Sequence, residues 1–172
     1  MTVINKFMKH IAPFWNDYYL TLDYTVESFR DQEQLMHWKN SGHNLDNLTI
    51  DLHQNNSDSK FTEVVKQHFN DLSNIGVSFH RLRPGHFLPM HVDKYRFYAN
   101  KHNITDLNKI KRYVVFLEDS KPGHMLIVND VVYSKWNAGD FIGWHGETPH
   151  SAINLGMFNR YTLQVTGIVN GK

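Results

Sequence analysis

The sequence predicts a mainly β fold with flanking helices, of the β-sandwich or jelly-roll kind, and three observations predict it. From Val77 onward the apolar residues recur with the period of strands, and turn residues cut that stretch into eight short segments. Ahead of it, Phe61, Val64, Val65, Phe69 and Leu72 recur at three- and four-residue intervals, one apolar stripe of a helix to lay on a sheet. The chain has 172 residues and no cysteine, enough length to bury a core without disulfides or a structural metal.

The elements follow in order. Residues 1–172 read as a single domain, with 1–76 a mixed helix and strand support region and 77–169 the β core. The run 18–26 is rich in β-prone residues, and 30–39 in helix formers that Gly42 would end. Ser57 or Asp58 can cap the helix bearing the apolar stripe, and Gly76 would stop it. The predicted strands are 77–82, 87–93, 112–117, 124–128, 131–136, 140–144, 150–154 and 160–169. Pro84-Gly85, Pro122-Gly123, Asn129-Asp130, Asn137-Ala-Gly139, Gly146 and Leu155-Gly156 punctuate them as turns. Residues 98–110 form the one longer interruption, partly helical from Thr105. That length beside a site suits a lid or a substrate wall.

Eighteen basic and seventeen acidic residues give a net charge of +1, so no global field recruits nucleic acid or an anionic membrane. Without cysteine there are no thiolate metal sites and no thiol nucleophile. No apolar run approaches the roughly 18 residues that span a bilayer, and residues 1–6 lack a signal-peptide pattern. The expectation is a soluble cytoplasmic protein, in the host cytoplasm if virus-encoded, with neither nucleic acid nor membrane as partner.

The chemistry concentrates in two segments, 89–93 and 149–160. His91 and Asp93 are two apart, so on an extended strand both leave the same face, roughly 6 to 7 Å apart along the chain. His150, from another strand, completes a two-histidine, one-carboxylate facial triad of the kind that holds non-haem Fe(II) and keeps positions open. His86 and His145 are rivals, each five residues before its neighbour. An odd offset turns each to the opposite face of a continuous strand, which favours His91 and His150. Arg160 lies ten residues beyond His150, and its guanidinium fork matches a carboxylate bidentately. Thr162 and Gln164 share its face by alternation. Arg112 and Tyr113 offer a further donor, and the sequence does not decide which of them faces inward. Arg83, Tyr95, Arg96 and Tyr98 flank the ligand-bearing strand and are candidates for substrate contact. Trp136, Trp144, Phe141 and Phe116 read as core aromatics.

Taken together, Arg81-Leu-Arg-Pro-Gly85 with Pro89-Met-His-Val-Asp93, Trp136-Asn-Ala-Gly-Asp140, Thr148-Pro-His150 with Asn154, and Asn159-Arg-Tyr-Thr-Leu163 resemble the Fe(II)/2-oxoglutarate-dependent dioxygenases. The likeness is to the aspartyl/asparaginyl β-hydroxylase branch and, more distantly, to the prolyl 4-hydroxylases. It runs over 77–167; residues 1–75 carry no such signature. The resemblance implies a double-stranded β-helix, cupin-like, with Fe(II) held by His91, Asp93 and His150. It also implies 2-oxoglutarate paired through its distal carboxylate with Arg160, helped by Thr162, Tyr113 or Arg112, and dioxygen as the third reactant. The implied reaction is hydroxylation of an unactivated C–H bond, with release of succinate and carbon dioxide. The substrate would be a protein side chain or else a free amino acid or small metabolite, near Arg83, Tyr95 and Gln164. Asp93 favours hydroxylation over halogenation, since related halogenases lack that acid; some aspartyl/asparaginyl hydroxylases lack it too. The nucleic-acid demethylases of the same superfamily typically carry a second arginine six residues after the first, where this chain has Thr166. A non-enzymatic jelly-roll binding module, and a metal-binding cupin working without 2-oxoglutarate, are the readings from other classes.

Overall fold

Two antiparallel sheets and three short helices build the molecule in the computed structural model, which describes residues 8–55 and 58–170. The strands are Lys9–His10 (β1), Thr25–Ser28 (β2), Thr49–Gln54 (β3), Leu72–Leu82 (β4), Phe87–His91 (β5), Ile110–Phe116 (β6), His124–Val128 (β7), Val131–Tyr133 (β8), Asp140–His145 (β9), His150–Asn154 (β10) and Arg160–Val169 (β11). The helices are Gln32–Asn40 (α1), Ser59–His68 (α2) and Arg96–Lys101 (α3), with single 3-10 turns at Asp17–Thr21 and Leu107–Lys109. The larger sheet has the order β1-β9-β6-β11-β4-β3-β2 and the smaller β5-β10-β7-β8. This is the jelly-roll, double-stranded β-helix architecture that the sequence predicts.

The core lies in two layers because β11 is buried on both faces. Tyr161, Leu163 and Val165 pack with Phe61, Val65 and Phe69 of α2 and with Phe79 and Val115, on the outer side of the large sheet. Arg160, Thr162 and Gln164 alternate to the other side, between the sheets. There Leu82, Val114, Phe116, Trp136, Ile142 and Trp144 meet Leu126, Val128 and Ala152 of the small sheet. Phe116 and Trp136 stack at 4.0 Å, the core role expected of them. Asn154, fully buried, ties one end shut: its amide donates to the Leu82 and Phe158 carbonyls at 2.8 and 2.9 Å and accepts from Gly156 N–H. The Gly123 and Gly156 backbones touch there; at φ +90°, a Cβ on Gly123 would lie 2.2 Å from Gly156 N.

Several boundaries differ from expectation. Residues 17–21 are a 3-10 turn rather than a strand, because Asn16 caps it and turns the chain. Asp58 caps α2 by accepting from Phe61 N–H; Ser57, the other candidate, lies outside the described residues, as does the 1–6 segment. α2 ends at His68, so Leu72 opens β4, and Gly76 is a strand residue facing Thr166 rather than a stop. β8 ends at Tyr133, short of Trp136, and α3 begins at Arg96, earlier than the expected helix. Strand β3 was not expected at all, yet it joins β4, and with β2 it carries the large sheet past the 77–169 segment.

Candidate metal centre

His91 ends β5 and His150 starts β10, and these two strands are paired with His150 directly opposite His91. Antiparallel register therefore brings residues 59 positions apart in sequence to a ring separation of 4.4 Å. Asp93 departs from expectation: β5 stops at His91, so the acid sits just past the strand end rather than on its face. It still converges. One ligand atom from each of His91, Asp93 and His150 lies within 4.8 Å of the others, the one such group among the described residues.

Both imidazoles are aimed by their other nitrogen. His91 Nδ1 lies 2.7 Å from the Pro89 carbonyl and His150 Nδ1 3.0 Å from the Thr148 carbonyl. A carbonyl can only accept, so Nδ1 carries a proton and Nε2 is the nitrogen turned toward Asp93. Those Nε2 atoms stand 3.8 and 3.4 Å from the Asp93 carboxylate. Phe29 and Trp144 wall the pair, at 5.3 Å from His91 and 4.9 Å from His150. Burial pushes the His150 pKa down to about 4, against the opposing pull of Asp93, so its imidazole is neutral at physiological pH.

The triad opens into a cavity of about 1530 Å³ between the sheets, lined by Arg112, Arg160, Thr162, Gln164 and His80 as well as the triad. β11 sets its axis. Arg160 faces Leu82 at the closed end and Thr166 faces Arg112 at the open end, ~20 Å apart at strand rise. The triad lies between. At the open end the Arg112 guanidinium donates to Asp93 and sits 4.8 Å over the Tyr95 ring. With its amide turned to suit its neighbours, Gln164 donates to His80 Nε2 at 2.7 Å and accepts from Arg112 Nη2 at 2.9 Å. Burial would raise the Asp93 carboxyl; Arg112, His150 and His91 outweigh it and hold the group below the usual carboxylate range. Burial, reinforced by Arg112, pushes His80 down to about 3. Tyr95 adopts φ +45°, a left-handed conformation held by the ring's burial against Arg112.

Arg160 is unlike Arg112. Only 5 % exposed, it donates from Nη1 to the Met125 carbonyl at 2.5 Å and, more weakly, to that of Ile153 at 3.5 Å, while Nε has no partner. Its guanidinium forms no ion pair among the described residues, and burial alone pushes its pKa down to about 10, so it remains a cation at neutral pH.

Two of the sequence candidates face elsewhere. Tyr113, the residue after Arg112, turns to the opposite face of β6, packs on Phe69 at 4.8 Å and donates its hydroxyl to Asp71. Strand alternation forces this, and Gly143 leaves room for the ring: a Cβ there would lie 2.3 Å from it. Arg83 lies on the outer surface, paired with buried Asp51 at 3.2 Å and donating to Thr49. Tyr95, Arg96 and Tyr98 do line the cavity. His145 is exposed against the Asn108 carbonyl, and His86 bonds to Thr49 Oγ1 at 2.8 Å; neither lines it. His80, Phe29 and Trp144 were missed as parts of the site. His80 faces Thr162 across the β4/β11 pair, a register that no local motif encodes.

No protein-family model matches the chain, and none of the curated proteins matches it. Among solved structures it is similar to a prolyl-4-hydroxylase from Pseudomonas putida, at TM-score 0.53 and 15% identity over 90% of this chain and 96% of that one. It is also similar to a predicted oxalate decarboxylase from Thermotoga maritima, at TM-score 0.44 and 14% identity over 70% of this chain and 82% of that one. A cupin domain from Schizosaccharomyces pombe follows, at TM-score 0.44 and 8% identity over 69% and 64%. At such identities the likeness concerns the fold. No helix among the described residues is long and apolar enough to cross a membrane.

Proposed function

We propose that the protein is an Fe(II)- and 2-oxoglutarate-dependent dioxygenase that hydroxylates an unactivated C–H bond, with a protein side chain as substrate. The observation that carries the reading is Arg160, a buried cation without a carboxylate, deep in the cavity that holds a facial triad. A buried charge is costly unless paired, so this position calls for an incoming anion. The donor set suits the metal: two imidazole nitrogens and a carboxylate can hold Fe(II) and leave three coordination positions open. His91, Asp93 and His150 would hold the iron, and Arg160, beside Thr162, would take the distal carboxylate of 2-oxoglutarate. When bound, iron and cosubstrate supply oxidative decarboxylation, to succinate and carbon dioxide, coupled to hydroxylation. The chain's own part is to position and exclude water. Phe29 and Trp144 shield the imidazoles, Arg112 keeps Asp93 ionised, and neutral His80 fixes Gln164.

Anaerobic addition of Fe(II) and 2-oxoglutarate should give a weak visible absorption band that His91→Ala and His150→Ala abolish, and aerobic turnover should form succinate. A binding module would give neither. Turnover that survives Arg160→Ala would leave a metal-dependent cupin acting without 2-oxoglutarate. With a protein side chain favoured, the competing substrate class is a free amino acid or small metabolite, and succinate formation screened against both kinds separates them.

A further inference from the structure

Strand β2 ends the large sheet, and its outer edge is open. Phe29 N–H donates to the Leu48 carbonyl at 2.8 Å, continuing the β2/β3 ladder by one residue. By antiparallel alternation, Thr25 and Glu27 then direct their N–H and C=O groups to β3, and Val26 and Ser28 direct theirs outward. Among the described residues nothing bonds those four groups. Three of the four β2 residues are exposed, Val26 by 55 %. Of the usual edge protections β2 has shortness, at four residues, and one charge, Glu27; it contains no proline or lysine, and its register runs without a shift.

This edge leads into the candidate metal centre. Glu27, Ser28, Phe29, Arg30 and Asp31 all line the cavity, and the Phe29 ring is 5.3 Å from that of His91. The acids along this cavity are engaged, Glu27 with Arg30, Glu63 with Lys66, and Asp31 and Asp58 as helix caps, whereas Lys94, Arg96 and Lys101 are exposed and in no ion pair among the described residues. We propose that β2 is a docking edge for an extended, acidic segment of a partner polypeptide. The segment adds a strand beside Val26 and Ser28, meets Lys94, Arg96 and Lys101 with its carboxylates, and passes Phe29 to the triad. Main-chain bonds supply affinity in this mode, and side-chain pockets supply selection. That the delivered side chain is hydroxylated rests on the dioxygenase reading; the docking itself does not.

The test uses the full chain loaded with Zn(II) and a panel of synthetic Val- and Thr-rich peptides flanked by either Asp or Lys. The Asp-flanked peptides should bind and slow hydrogen exchange at the Val26 and Ser28 amides. Val26→Pro, which removes an outward N–H at an edge position where proline is tolerated, should weaken that binding by roughly 10-fold with Zn(II) affinity unchanged. Three results would each overturn the proposal: no peptide binding, binding that leaves those two amides unprotected, or equal binding by Val26→Pro. Preference for the Lys-flanked peptides would overturn its acidic half. If Val26→Pro fails to fold, hydrogen exchange on the native chain decides alone. Absence of the Fe(II) and 2-oxoglutarate absorption band, with peptide binding intact, would remove the dioxygenase reading and leave the docking edge standing.

Discussion

At the open end of the cavity Arg112 has the Asp93 carboxylate, the Gln164 amide and the Tyr95 ring around it; at the closed end Arg160 has two peptide carbonyls. Both are arginines on neighbouring strands of one sheet, facing one space. The difference lies in what each still needs. Arg112 is neutralised by a group that would also hold the metal, so it serves the protein in the metal-free state and keeps Asp93 ionised. Arg160 is solvated only by carbonyl dipoles, which accept hydrogen bonds without cancelling its charge. Buried polar groups are normally satisfied, and the unpartnered Nε of Arg160, in the cavity that the candidate triad opens into, is the feature on which the proposed 2-oxoglutarate site rests. Charge alone does not distinguish the two arginines; the presence or lack of a protein anion does.

The largest effect should come from the triad that divides the two ends. His91→Ala or His150→Ala should lower Zn(II) or Fe(II) affinity by more than ~100-fold, beyond what loss of an outer partner costs, with His145→Ala and His86→Ala unchanged in the same calorimetric titration. A matching loss in His145→Ala would relocate the site. Next, Arg112→Met should destabilise the metal-free protein by about 1 to 3 kcal/mol, because it strands a partly buried carboxylate. Saturating Zn(II) should restore much of that in urea unfolding, since the ion supplies the missing positive charge. Arg160→Met strands no anion. It should cost less stability than Arg112→Met, leave Zn(II) affinity alone, and weaken 2-oxoglutarate binding by roughly 10- to 150-fold, the range of one charged hydrogen-bonded contact. Equal destabilisation by the two arginine variants would mean that Asp93 does not depend on Arg112 for its charge partner.

What was legible in the sequence divides along the same physical line. Period-2 patterning located β7, β10 and β11, and the apolar stripe located α2, because local alternation and local caps determine them. Alternation also put Arg160, Thr162 and Gln164 on one face. It could not choose between Arg112 and Tyr113, since both faces of β6 are buried and either residue suits one of them. His80 and Phe29 escaped notice because only strand register, set by pairing over distances of many residues, carries them to the site. The placement of Arg83 away from the cavity has a related cause. Its partner Asp51 lies on β3, a strand whose Thr49-Ile-Asp-Leu-His-Gln54 sequence offers only weak alternation, so the outward ion pair that claims it was invisible.

The smallest expected effect concerns protons, and it separates the two ends once more. His80 and His150 are pushed down to about 3 and about 4, both first by burial, whereas in the unfolded chain each titrates near 6.5. Between those values the unfolded chain binds more protons than the folded one, so stability rises with pH there and falls as acid is added. From pH 7 to pH 5 each imidazole should cost the metal-free protein about 2 kcal/mol. Arg160 stays charged throughout that window and contributes no slope. Burial also lowers His86 and His124, which add to the same loss; urea unfolding at the two pH values should therefore show an acid loss that His80→Gln reduces by about 2 kcal/mol and Arg160→Met leaves as it was. An unchanged slope in His80→Gln would mean that its imidazole accepts a proton in the folded state and is not the neutral partner of Gln164.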